Sequence, residues 1–198
     1  MEQGERAGDN MMGMIQDTVT EDVEKQIGIE HADFARDLRV AVLFVGNKLM
    51  LDDGVGPAAY ELFCERHSVP ENVQLYDIGC LSMDMIFVVD EFDVVITVDA
   101  VDGTGNPAGT VLRFAPDAMA RHTGATASLH DLKLIDLFDA AALLGYEARG
   151  LCLGMQVENP SPEVATVGLT PAVHAALPLL VETVAAELTR LGCYLERQ

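Results

Sequence analysis

The chain has 198 residues with 32 acidic and 12 basic side chains, a formal net charge of −20, and is 49% hydrophobic. That length suits one compact domain whose core needs no disulfides, and the negative balance repels phosphate backbones and anionic lipid, so nucleic-acid and membrane-surface partners are not expected. Cys64, Cys80, Cys152 and Cys193 stand far apart with no C-x-x-C pair, which leaves no zinc knuckle or thioredoxin-like motif and fits a reducing cytoplasm.

Residues 1–38 hold ten acids and three bases (Arg6, Lys25 and Arg36). Met1 to Met14 lacks periodicity and reads as disordered or loosely docked, whereas Val19, Val23, Ile27 and Phe34 recur at near-helical spacing. The opening ten residues lack the apolar stretch of a signal peptide. No apolar run reaches the ~18–20 residues a bilayer crossing needs, so a cytoplasmic chain is expected. Residues 1–38 are therefore set apart as an acidic extension of a domain spanning 39–198.

From Arg39 the pattern becomes regular. Val40 to Val45 is a continuous apolar run, as in a buried parallel strand. A loop from Gly46 to Gly56 leads into an amphipathic helix carrying Val55, Ala58, Ala59, Leu62 and Phe63, with Pro57 near its start. Val73–Ile78 reads as a strand, Met83–Val89 as a short helix and Asp93–Asp99 as a third strand. After a turn rich in Gly, Asn and Pro (Gly103 to Gly109), Thr110–Phe114 reads as an antiparallel edge strand. Ser128 opens a helix with Leu134, Ile135, Phe138, Ala141 and Ala142 facing inward, and Ser128 with Asp131 resembles a capping box. Ala148–Met155 is the fifth strand. Thr170 and Pro171 begin a last helix with a stripe from Val173 to Leu191, ended by Gly192, and Pro178 should kink it or shift its start. Cys64 and Cys152, in apolar surroundings, read as buried thiols. The alternation of β and α predicts a three-layer α/β sandwich: a twisted, mainly parallel five-stranded sheet with helices on both faces.

Ligands of such sheets bind beyond the carboxyl ends of the strands. Asn47, Asp52 and Asp53 follow the first strand, Asp77, Gly79 and Cys80 the second, and Asp99 and Asp102 the third, while His130 sits in the first turn of the helix opened by Ser128. Asp53, Asp99 and His130 together offer two carboxylates and one imidazole, a set that suits a borderline divalent metal with coordination positions left open. Other roles fit each residue singly: Asp52 or Asp53 suits capping of the following helix, Asp99 suits loop amides, and a histidine near a helix start is often structural. Several motifs fail on context. Gly103-x-Gly105 precedes a strand rather than a helix, the Gly46–Gly56 loop lacks the Gly-Lys-Ser/Thr of a phosphate loop, and neither G-x-S-x-G nor H-E-x-x-H is present.

The segment Gly46-Asn47-x-Leu49-x-x-Asp52-Asp53-Gly54-x-Gly56-Pro57 resembles the signature of the hydrogenase maturation endopeptidases. Further matches follow in order at Val95-Ile96-x-Val98-Asp99-Ala100, Asn106-Pro107-x-Gly109-Thr110, Ser128-x-His130, Gly154-Met155-Gln156 and Gly168-Leu169-Thr170-Pro171. The resemblance spans roughly residues 39–192. It implies an endopeptidase that recognises nickel in the immature large subunit of a nickel–iron hydrogenase and removes that subunit's C-terminal extension. It also implies Asp53, Asp99 and His130 as the metal-contacting positions. The nickel would be carried by the substrate, without a dedicated catalytic metal, and other divalent ions could enter the same site. Asn47, Asp52, Gly79 and Cys80 are candidates for binding substrate or shaping loops, and Asp52 or a metal-freed Asp53 for the general base. The implied partner is the large-subunit precursor, and a monomer is expected. The alternative is a non-catalytic module that only binds metal or precursor.

Departures from the family pattern are specific. Phe44 stands where many members have Gly, so the following loop is expected to run differently. Tyr76-Asp77-Ile78-Gly79-Cys80 stands where Asp-Gly-Gly-Thr is common, making Cys80 either a variation or a soft accessory contact for nickel. Residues 1–38 have no counterpart.

Overall fold

A computed structural model describes residues 38–80, 83–116 and 134–198. The helical pattern of residues 18–36, the Ser128–Asp131 capping box, His130 and the side chains of Leu134 and Ile135 lie outside the described residues. Leu38, assigned to the extension on composition, belongs to the domain: it is buried, and its carbonyl accepts a hydrogen bond from Asn72 Nδ2 at 2.7 Å.

Strand β1 (Val40–Val45) is followed by a 3-10 turn (Leu51–Gly54), helix α1 (Val55–Arg66), the two-residue strand β2 (His67–Ser68) and β3 (Val73–Gly79). A 3-10 turn (Met83–Met85) then leads into α2 (Ile86–Glu91), β4 (Val94–Val101) and β5 (Val111–Phe114). The remaining elements are α3 (Leu134–Leu143), β6 (Arg149–Gln156), α4 (Pro171–Arg190) and β7 (Glu196–Arg197). The main sheet has the order β3-β1-β4-β6-β5. All pairings are parallel except β5 on β6, so β5 is the antiparallel edge strand that its sequence predicts. The pair β2 and β7 forms a separate antiparallel ribbon, for which no sequence pattern gave notice.

Because successive strand residues point to opposite faces, β1 feeds two cores. Val40, Val42 and Phe44 pack with α1 and α4, whereas Ala41, Leu43 and Val45 pack with residues of α2 and α3. The sheet is thus covered on both sides, which is why β1 is apolar at every position. Phe44 lies within regular register, opposite Asp77 and Val98, and stacks edge-on against Tyr60 at 5.5 Å. The irregularity comes one residue later, as a bulge between Phe44 and Val45 against β3.

Some expectations are corrected. The third strand does not end at Asp99 but continues to Val101, held by pairing with β6 through Gln156. Among the described side chains of α3, Phe138 and Ala141 face the core as expected, Leu137 is buried beside them, and Ala142 is exposed. Cys64 is half-buried rather than buried, unlike Cys152. Pro178 does not shift the start of α4, which runs from Pro171 to Arg190 with the proline inside it. At 20 residues, α4 is long and apolar enough to cross a bilayer, but its stripe of Val173, Leu177, Leu180, Val181, Val184 and Leu188 is buried in the sheet-facing core.

Candidate functional site

The chain leaves β1, crosses through α1 to β3 on one side, and then returns through α2 to β4 on the other side of β1. The order of strands therefore reverses between β1 and β4, the place where sheets of this kind receive ligands beyond the strand ends. Asp53 follows β1 and Asp99 lies toward the carboxyl end of β4, so both stand at that reversal.

The loop after β1 is built for close approach. Gly46 has φ +137°, and a Cβ there would lie 1.9 Å from the Asp53 carbonyl oxygen. Gly56 at the start of α1 faces the end of β1 so tightly that a Cβ would sit 2.0 Å from the Val45 carbonyl oxygen. Between them the backbone makes the 3-10 turn, entered through Leu51 at φ +51°, a left-handed conformation costly for a side chain with a Cβ. Leu51 is held there by its N–H donating to the Thr166 carbonyl at 2.7 Å. Within the loop, the Asn47 N–H donates to Asp53 Oδ2 at 2.9 Å and so orients that carboxylate. Asn47 Oδ1 accepts the Leu49 N–H at 3.0 Å. Asn47 thus shapes the loop through both its backbone and its side chain.

Asp52 and Asp53 diverge. Asp52 is fully buried. Its Oδ1 accepts the Thr170 N–H at 2.7 Å. Its Oδ2 accepts the N–H groups of Glu158 at 3.2 Å and Asn159 at 2.9 Å, together with the Thr170 hydroxyl at 3.0 Å. Thr170 is the N-cap of α4, so the carboxylate lies at that helix's positive end. Neither aspartate caps the following helix: the N-cap of α1 is Gly54, without a side-chain bond. With both oxygens engaged and no solvent exposure, Asp52 is withdrawn from the general-base role.

Asp99 is half-buried, with Gly154 as its register partner. Burial pushes its carboxyl up to about 7, against the opposing bond from the Ala100 N–H at 2.7 Å, and the negative charge of Asp53 raises it further. Asp53 and Asp99 are therefore electrostatic neighbours. A carboxyl held back from ionising chiefly by burial, with a second carboxylate adding to that, is one that a divalent cation would favour in its charged form. Among the described residues no three His, Cys, Asp or Glu side chains converge to hold an ion. The third expected contact, His130, lies outside those residues.

Gly79 ends β3 with φ +59° and accepts the Gly46 N–H at 2.8 Å, tying the edge strand to the loop. Cys80 follows it and is exposed. Lys48 was not singled out by its sequence context. Its ammonium bridges Glu61 at 2.8 Å and Asp77 at 3.3 Å, and these partners raise its pKa. The loop's one base is thereby directed to α1 and β3. On the opposite bank, Gln156 Oε1 accepts both the backbone N–H of Thr104, at 3.1 Å, and its hydroxyl. Thr110 closes the Asn106-Pro107 turn by donating its N–H to the Pro107 carbonyl at 3.1 Å.

Comparison with known proteins agrees with this fold. Residues 57–187 match the family model described as hydrogenase maturation protease. The chain is 37% identical over 156 residues to the hydrogenase expression/formation protein HupD of Bradyrhizobium diazoefficiens, covering 75% of this chain and 81% of that protein. It is 30% identical over 156 residues to the hydrogenase 2 maturation protease of Escherichia coli, covering 78% and 93% respectively. Among solved structures, the hydrogenase maturating endopeptidase HybD from E. coli superposes with a TM-score of 0.72 at 27% identity, over 81% of this chain and 98% of that one.

Proposed function

The chain belongs to the hydrogenase maturation protease family and is a peptidase, and from that premise we propose that it recognises nickel in an immature nickel–iron hydrogenase large subunit and removes the subunit's C-terminal extension. The observation that supports this reading is the pairing of Asp53 and Asp99 at the point where the strand order reverses, close enough that one charge opposes the other's ionisation. A pair of oxygen donors with an incomplete sphere suits a metal that arrives with ligands of its own. The nickel is here part of the substrate. Asp53, oriented by the Asn47 N–H, and Asp99 would contact it, and His130 would join them, as the family resemblance implies.

Hydrolysis adds water across the scissile amide: the carbonyl carbon gains hydroxyl and the departing nitrogen gains a proton. The chain's part is to hold the precursor's C-terminal segment beyond the strand ends and to present a base to the water. With Asp52 buried, Asp53, once freed from the metal, remains the candidate for that base. In this reading the chain acts in the cytoplasm as a monomer on the metal-loaded precursor.

The test is processing of a nickel-loaded large-subunit precursor, read as a mobility shift on a gel. Asp53→Ala, Asp99→Ala and His130→Ala should each abolish the shift while circular dichroism stays that of the folded chain. Undiminished processing by all three folded variants refutes the reading.

A further inference from the structure

The segment joining β6 to α4 has no role in the chemistry above, yet it is held firmly and left uncovered. Residues 163–168 are all exposed. Val164 is 73% and Val167 75% exposed, and Leu49 beside them is 55% exposed. The segment is anchored at both ends by the Asp52 carboxylate, through residues 158–159 and through Thr170. In its middle Thr166 forms a parallel bridge with Met50, its N–H donating to the Leu49 carbonyl at 2.8 Å and its carbonyl accepting the Leu51 N–H.

Residues 165–167 run between bends at 163–164 and 168, and in such an extended stretch the backbone groups of alternate residues point to opposite edges. Thr166 directs its groups to Leu49 and Leu51, so Ala165 and Val167 direct theirs outward. Among the described residues, the N–H groups of Ala165 and Val167 have no hydrogen-bond partner. An exposed edge carrying valines is a template for another strand. Its electrostatics are one-sided: Glu158 and Glu163 are exposed, and residues 157–170 contain no lysine or arginine. Lys48 on the adjoining loop is committed to Glu61 and Asp77.

Resting on the reading of the chain as a processing endopeptidase, we propose that residues 165–167, flanked by the exposed bend at 163–164, are a docking edge on which a short extended segment of the processed polypeptide, bearing apolar and basic side chains, pairs as a strand. Backbone pairing with Ala165 and Val167 would supply affinity, and Val164, Val167 and Leu49 with the flanking acids would select the sequence. The edge continues the Asp52–Asp53 loop through the Met50–Thr166 bridge, so a polypeptide docked on it lies against the loop that carries Asp53.

The probe is a twelve-residue peptide of alternating lysine and valine, with an alternating glutamate–valine peptide as control, titrated into the full chain while backbone amide resonances are followed. The lysine peptide should shift the amides of Ala165 and Val167, and the glutamate peptide should not. The double variant Val164→Ser/Val167→Ser, which leaves net charge unchanged, should weaken the lysine peptide about 10-fold and raise KM for the precursor similarly. Shifts that bypass Ala165 and Val167, or an unchanged affinity and KM in the double variant, overturn the docking edge. A wild-type chain that binds the peptide at these amides yet cleaves no nickel-loaded precursor keeps the edge and sinks the endopeptidase reading. Cleavage with an unaffected double variant does the reverse.

Discussion

Asp52 and Asp53 are adjacent and chemically identical, and their surroundings separate them. Asp52 accepts four hydrogen bonds in a site closed to solvent. Replacing it with Asn turns an amide donor toward groups that are themselves donors. Asp52→Asn should therefore lower unfolding stability by about 3 kcal/mol, measured by urea denaturation, and speed amide exchange at Glu158, Asn159 and Thr170. Unchanged exchange at those three amides would remove its role as a staple. Asp99 carries the opposite imbalance. Its folded-state pKa of about 7 lies above the ordinary carboxylate value. The stability it contributes is thus fully present below about pH 4 and is lost as pH rises through 7. Without added metal, Asp99→Asn should melt about 2–8 °C higher than wild type at pH 8 and no higher at pH 4. A gain of equal size at both values would contradict the burial argument.

At the scale of elements, α4 is joined to the edge strand β5 by charge as well as by apolar packing. Glu187 on α4 is buried and accepts bonds from Arg113 of β5 at 3.2 Å and from Arg190, one turn on, at 2.5 Å. Burial alone would raise its pKa, but the bonds and charges of Arg190 and Arg113 outweigh that and lower it. Its stabilisation is therefore present above the ordinary glutamate range and is lost as pH falls through the depressed value. Glu187→Gln should cost about 3–5 kcal/mol near neutrality and flatten the acid side of a melting-temperature profile. If variant and wild type run parallel between pH 2 and 7, the network is not holding the edge. Other elements were legible from hydrophobic runs alone: β1, β4 and β6 are buried on both faces over most of their length, and α1 and α4 carry their stripes at helical spacing. The ribbon of β2 and β7 was not, because two residues are too short to show a period. Nor was the burial of Leu137 over Ala142, because facing on α3 depends on α2, which no periodicity reports.

For the molecule as a whole, the sequence made the architecture plain and left the site half-read. Alternating β and α elements imply a covered parallel sheet, and the rule that ligands gather beyond strand ends placed Asp53 and Asp99 on one rim. What each residue does there depends on groups remote in sequence. Residues 158–159 and 170 separate Asp52 from Asp53, and Glu61 and Asp77 decide where Lys48 points. No local pattern contains that information. The outward-facing amides of Ala165 and Val167 were equally hidden, since they follow from a single bridge to Met50.

The bond from Thr170 to Asp52 spans 118 positions of chain. A ribosome adding about 5–20 residues per second needs roughly 6–24 s to cover that distance. Over that interval the first loop exists without the full set of bonds that fixes its carboxylate, the last of which comes only with the residue that caps the final helix. The first loop and the last helix thus become fixed together, late in synthesis.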